Sequence, residues 1–196
     1  MIENVFLDVI NAAQKSLETS MLEQLPNEQH VMLDLFIGDM RFESSYALPG
    51  ELNPANVRVD VDLDWPVWSQ SVYRSWQLGE SDPDLMEVGI EITIRAVGLS
   101  EPAPISDILT ILDQSSPTTL AFALERSSVS TSENILPEEG GNEFELELAY
   151  DGTFVIEGPV MKFELEEVFA PLGPWLASML VRLTDQPLKF LPTPLE

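Results

Sequence analysis

The sequence predicts an α+β fold: an antiparallel β-sheet with the N- and C-terminal helices packed on one face and an acidic, solvent-facing other face. Two observations carry this. Several stretches alternate apolar and polar residues, with carboxylates at the polar positions, which is the pattern of a sheet with one buried and one wet side. Each end of the chain carries an apolar stripe at helical spacing, which supplies a cover for the buried side.

The clearest strand is Val57 to Trp65. Val57, Val59, Val61, Leu63 and Trp65 alternate with Arg58, Asp60, Asp62 and Asp64. In 88–96, Val88, Ile90, Ile92 and Ile94 share one face, and Glu91, Thr93 and Arg95 the other. Val31, Leu33, Leu35 and Ile37 alternate in the same way, and Gly38-Asp39 reads as a turn into a strand through Met40 and Phe42. Residues 67–78 and 120–124 are read as further strands, and so are 160–167, with Lys162, Glu164 and Glu166 outward.

The stretch 143–158 reads as a hairpin. A two-residue Asp-Gly loop would place Phe154 and Ile156 beside Glu145 and Glu147. A three-residue loop of Tyr150, Asp151 and Gly152 places them beside Phe144, Leu146 and Leu148, so burial selects the longer loop, with Gly152 left-handed in a bulge.

Residues 4–24 form the first predicted helix, with Phe6, Val9, Ile10, Ala13, Leu17 and Met21 in one stripe, Asn4 as N-cap and Pro26 beyond the end. Residues 174–185 form the last, with Pro174 in the first turn and a stripe of Trp175, Leu176, Met179, Leu180 and Leu183. A short helix is expected over 104–113 with Ser106 as N-cap. Loops are expected at 48–56, 79–84 and 127–142, and the tail from Pro187 reads as extended. Residues 127–142 resemble a linker in composition. Only about 54 residues follow them, near the lower limit for an independent fold, so residues 1–196 are read as a single domain with a long loop.

The 196 residues include 9 lysines and arginines against 34 aspartates and glutamates, a formal net charge of −25. That charge repels phosphate backbones and anionic lipid, so neither direct nucleic-acid nor membrane binding is expected. Hydrophobic residues make up 44%, too many for a disordered acidic tail. The absence of cysteine excludes disulfides, thiol catalysis and thiolate-bound metals. The first residues lack the basic segment of a signal peptide, and a cytoplasmic location is the natural expectation.

Three constellations compete for a function. The first is the acidic face of Asp60, Asp62, Asp64, Glu143, Glu145 and Glu147. Its simplest explanation is solvation of a very acidic protein; its functional explanation is docking of a basic partner. A cation site fits poorly, because carboxylates two apart on a strand stand about 6.6 Å from one another. The second is Trp65, Trp68 and Trp76 with Tyr73, either a local core or an apolar-ligand and interface site. Trp65 continues a buried face and is expected inside; Trp68 follows Pro66 in a bend and is expected outside. The third is the loop with Glu80, Asp82, Asp84 and Glu87, which has calcium-ligand types but reads as an Asp-Pro turn.

The single histidine, His30, reads as a surface residue, and no Gly-rich phosphate loop, His-Glu metal motif or nucleophile elbow occurs. The expectation is therefore a non-enzymatic binding protein of adaptor, chaperone or inhibitor type that engages a basic protein surface, without metal or cofactor. The alternative is a carrier of a small apolar ligand or lipid, with a pocket between sheet and helices near the tryptophans. An enzyme comes third, since no nucleophile or base stands out, and a fourth reading is that the acidity is an adaptation to high salt.

Overall fold

Six antiparallel strands pair in the order β1-β2-β3-β4-β6-β5. The computed structural model describes residues 2–33, 38–50, 55–80, 86–136, 141–156 and 162–192. The strands are β1 (Glu23–Leu33), β2 (Met40–Ala47), β3 (Val57–Trp65), β4 (Met86–Leu99), β5 (Leu124–Leu136) and β6 (Gly141–Ile156). The helices are α1 (Ile2–Thr19), α2 (Val67–Gln77), α3 (Ile105–Ile111), α4 (Lys162–Phe169) and α5 (Leu172–Thr184).

Alternation builds the sheet. In β3, all five odd positions from Val57 to Trp65 are buried and the even ones are half-buried. Register then stacks buried against buried: Phe42 lies opposite Leu63, Val61 opposite Ile92, and Ile94 opposite Leu148. A slip of one residue would turn every one of these side chains to water. Phe6, Val9, Ile10, Ala13 and Leu17 of α1 and Trp175, Leu176, Met179, Leu180 and Leu183 of α5 join this same core. Each Val, Leu, Ile, Met or Phe among them stabilises the fold by about 1.5–3 kcal/mol on full burial. The helices thus cover one face, and among the described residues the other is open.

Helix α1 stops at Thr19 rather than near residue 24, and Asn4 lies inside it rather than capping it. Its end is a Schellman motif: Leu22 N–H donates to Leu17 O at 3.2 Å and Met21 N–H to Glu18 O at 3.1 Å. Met21 occupies the left-handed position usually held by glycine, with φ 63°. The turn lets the chain enter β1, which carries Pro26.

Residues 67–77 are helix α2, not a strand. Ser69, Gln70 and Tyr73 are buried and Trp76 packs against the core, a spacing of three to four rather than two. Asp39 Oδ1 accepts the Val67 N–H at 2.7 Å, and Gln70 Nε2 donates to Gly38 O and Trp65 O. A second Schellman motif closes the helix at Gly79, with Glu80 N–H to Ser75 O at 2.9 Å and Gly79 N–H to Trp76 O at 3.0 Å.

The expected hairpin at 143–158 is one continuous strand. Glu91 lies opposite Asp151 and Ile90 opposite Gly152. Leu146, Leu148, Tyr150, Phe154 and Ile156 are all buried at even positions, so an unbroken strand already puts every apolar side chain inward. No turn is needed to keep the register. Gly152 is not among the positive-φ glycines. It is there for space: a Cβ at 152 would overlap the Ala123 carbonyl oxygen.

The expected loop at 127–142 is largely strand. β5 pairs with β6 from Leu124↔Gly152 to Leu136↔Gly141, and its serines and threonine give no apolar alternation to read. Residues 120–123 are bend and irregular chain and precede that strand, although Leu120 and Phe122 are buried. Residues 162–169 are helix α4, so Glu164 and Glu166 leave the acidic face; Glu166 pairs with Lys15 of α1 at 2.5 Å. α3 starts at Ile105 after Pro104, with Ser106 inside it. α5 begins at Leu172, with Pro174 in its first turn as expected. Leu99 bridges Phe190, which fastens the tail to β4.

Candidate functional site

The open face is assembled from four strands. β2 contributes Arg41, Glu43 and Ser45; β3 contributes Arg58, Asp60, Asp62 and Asp64; β4 contributes Glu91, Thr93 and Arg95; β6 contributes Glu143, Glu145 and Glu147. Five carboxylates from the first three strands, together with Glu145 and Glu147 of β6, surround three arginines, and the arginines decide how the face is wired.

Arg95 is the hub. Its Nε donates to Asp60 Oδ2 at 2.6 Å, and its Nη1 donates to Glu145 Oε1 at 3.0 Å and to Glu147 Oε1. Burial works against its charge, but the hydrogen bond to Glu145 and the charges of Asp60 and Glu147 hold its pKa above the ordinary value. Arg41 grips Asp62 with two nitrogens, Nε at 2.8 Å from Oδ1 and Nη2 on Oδ2, and lies 2.9 Å from Glu43. That grip raises its pKa as well. Ser45 Oγ donates to Asp60 Oδ1 at 2.6 Å, and Arg58 Nε lies 3.5 Å from the same oxygen.

Asp64 differs from its two neighbours. Burial, and then the charges of Asp39 and Asp62, push its pKa up against the opposing pull of Arg41. So of the three aspartates in the opening strand, Asp60 and Asp62 are held by arginines from flanking strands and Asp64 sits where its charge is disfavoured. Glu145 and Glu147 join the Arg95 hub, with Ser130 Oγ donating to Glu147 Oε2 at 3.1 Å. Glu143 lies two residues further along, opposite Asn134.

A depression of about 490 Å³ follows this network, lined by Arg41, Glu43, Ser45, Arg58, Asp60 and Arg95 among others. Among the described residues, no three carboxylate or histidine side chains converge as a metal site. Asp82 and Asp84, expected in an acidic turn, lie outside the described residues, as does the side chain of His30; its backbone pairs with Glu43 in the first ladder.

The tryptophans separate as expected from the sequence. Trp65 is fully buried, tilted against Phe6 and edge-on to Tyr73, and its Nε1 donates to Ser69 Oγ at 2.9 Å. Trp76 packs on Tyr73 at 5.7 Å between centroids, and Trp68 is 49% exposed. None of the three lines the described concavities. The largest of these, about 710 Å³, lies on the helix side between α1 and the α4–α5 pair, lined by Lys15, Met21, Glu166, Ala170, Pro174 and Ala177 among others.

Sequence reasoning missed the role of the arginines. Alternation placed Arg95 on the Asp60 side, but its partners depend on which strands are neighbours. Charge alone supplied one hint: a lone arginine at an outward position among carboxylates is a natural ion-pair centre. No helix of the described residues is long and apolar enough to cross a membrane. The chain matches no protein-family model, no curated protein and no solved structure.

Proposed function

We propose that this protein is a non-enzymatic binding protein that engages a basic protein segment through the open face of its sheet. The observation that supports the reading is the one-sidedness of the sheet. Among the described residues, the helices gather on the apolar face and leave the other face uncovered, with its carboxylates outnumbering the three arginines that organise them. The arginines fix the positions of Asp60, Asp62, Glu145 and Glu147, so a ligand need not order those side chains itself, which lowers the entropic cost of binding. The remaining negative potential attracts lysine and arginine side chains and speeds their arrival.

The test uses a twelve-residue peptide rich in lysine, titrated at low salt and followed by backbone amide shifts. Shifts concentrated on β2, β3, β4 and β6, weakening as salt is raised, support the reading. The variants are Glu91→Gln with Glu143→Gln, which leave the Arg41 and Arg95 bonds intact. They should slow association more than Glu18→Gln with Glu80→Gln, two exposed positions elsewhere. Equal losses from both pairs would mean that only bulk charge matters, and the face would lose its role.

A further inference from the structure

We infer that the outer edge of β5 is a docking site for an extended, basic segment of a partner protein, which adds to the sheet as a seventh strand. The inference rests on the proposed basic partner and specifies how it would bind.

The sheet has two edges, and they differ. At β1 the ladder is interrupted between Gln24 and Gln29, and Pro26 there lacks an N–H; both features discourage further pairing. At β5 the first residues are occupied. Arg126 N–H donates to Gln114 O at 2.9 Å, Ser116 N–H donates to Leu124 O at 2.8 Å, and Ser115 bridges Glu125. Beyond them and past the bulge at Ser127, Ser128 to Leu136 pairs only with β6 among the described residues. This run has no proline, no lysine and no bulge past Ser128, the devices that usually blunt an edge. It leaves a regular series of unpaired backbone donors and acceptors, and a strand is the occupant that satisfies such a series.

Side chains select the occupant's chemistry. Ser128, Ser130, Ser132 and Asn134 point to the open face, opposite Ala149, Glu147, Glu145 and Glu143. These are short side chains. A lysine or arginine on an added strand would lie about 10 Å, two strand spacings, from the β6 row. Its long stem can cross the low serine row to meet a glutamate reaching outward. On the other face, Val129, Thr131 and Ile135 offer β-branched neighbours, and Ile135 is 76% exposed. The fitting partner segment therefore alternates basic with apolar or β-branched residues. A second copy of this chain fits less well. It would bring another −25 charge to the edge.

The test compares three twelve-residue peptides: alternating lysine and valine, the same peptide N-methylated at every residue, and alternating glutamate and valine. Affinity is measured by titration, and the site by amide hydrogen exchange. The lysine peptide should slow exchange across Ser127–Leu136 and bind at least about tenfold more tightly than its N-methylated form, which keeps the charge and loses the main-chain donors. Ser130→Lys with Ser132→Lys should weaken it by a similar factor while leaving the melting temperature near the parent's, since both positions are exposed. If both lysine peptides bind equally and protect the open face without β5, strand addition is wrong and the basic-partner reading stands. If neither binds at low salt, both fail. Equal protection by the glutamate peptide would refute a charge-selected occupant, and concentration-dependent protection of β5 without peptide would assign the edge to a second copy.

Discussion

The Gly173 N–H donates to Ser16 Oγ at 2.9 Å, across a close crossing of α1 and α5. A Cβ at Gly173 would overlap the Ser16 carbonyl oxygen and sit 2.5 Å from Ser20 Oγ. Helices α1 and α5 can approach this closely only because residue 173 has no side chain. Ser16 also donates to Ala170 O at 3.1 Å, so one hydroxyl fastens the α4–α5 corner to α1.

Gly173→Ala should therefore force the helices apart. The expected loss is about 1–3 kcal/mol, typical of overpacking a filled site. Ser16→Ala removes a buried partner without adding volume and should cost about 1–3 kcal/mol by leaving the Gly173 N–H unsatisfied. Urea unfolding of both variants checks this. An unchanged midpoint for Gly173→Ala would mean that the crossing is loose.

Met21 makes the opposite prediction. Its φ of 63° is left-handed, and its side chain is 73% exposed, so little packing repays the strain. Left-handed backbone costs an L-residue about 1–2 kcal/mol, and glycine escapes it. Met21→Gly should stabilise the protein by about 0.5–1 kcal/mol after glycine's greater freedom in the unfolded chain is subtracted. A thermal melt should move up by about 1–4 °C for a chain of this size. A lower midpoint would show that the Met21 side chain is held by the groove it lines.

Gly152 is constrained by neighbours rather than by its own dihedrals. It pairs with Ile90 on one side and Leu124 on the other, and the Ala123 carbonyl occupies the space of a Cβ. Gly152→Ala should push Ala123 and the start of β5 away from β6, at a cost of about 1–3 kcal/mol. Hydrogen exchange should quicken first at Leu124 and Arg126. If exchange there is unchanged, the close approach does not govern that junction.

How far the sequence discloses this fold depends on whether a local pattern decides the element. β3, β4, α1 and α5 were legible because periodicity of two or near 3.6 runs through them. α2 carries Pro66 before it and Gly79 behind it as start and stop signals, but its aromatic and serine-rich sequence fits a strand as well. β5 is expected as a loop because serine, threonine, glutamate and asparagine fill most of its positions, and Val129 and Ile135 are too few to show an alternation. In β6 the Asp151-Gly152 pair imitates a turn, yet the even positions from Leu146 to Ile156 carry the buried side chains straight through it. The acidic residues of the candidate site were legible one strand at a time. The Arg95 hub was not, since its contacts to Asp60 and to Glu147 depend on β4 lying between β3 and β6, a matter of topology.

Two aspartates should give opposite responses to pH. Asp64 has its folded-state pKa raised by burial and then by the charge of Asp39. A raised carboxyl favours the fold when protonated. That contribution is present below the unfolded value, about 3.9, and is lost as pH rises through the folded pKa. At neutral pH the charged Asp64 is therefore a cost, and Asp64→Asn should be the more stable protein by a few tenths of a kcal/mol. Asp113 is the reverse. Arg182 donates to both its oxygens, at 2.9 and 2.7 Å, and Trp175 Nε1 donates at 3.1 Å, which lowers its pKa. A lowered carboxyl supports the fold above the unfolded value, and that support is lost as pH falls through the folded pKa. Asp113→Asn should be less stable than the parent at pH 7, by no more than about 1 kcal/mol because the pair is partly exposed. Urea midpoints at several pH values from 7 down to 3 should show both differences shrinking toward acid, one from above the parent and one from below. If Asp64→Asn is the weaker protein at pH 7, the carboxylate is holding a partner that burial alone does not reveal. If the Asp113→Asn difference persists unchanged at pH 3, its loss comes from geometry and not from charge.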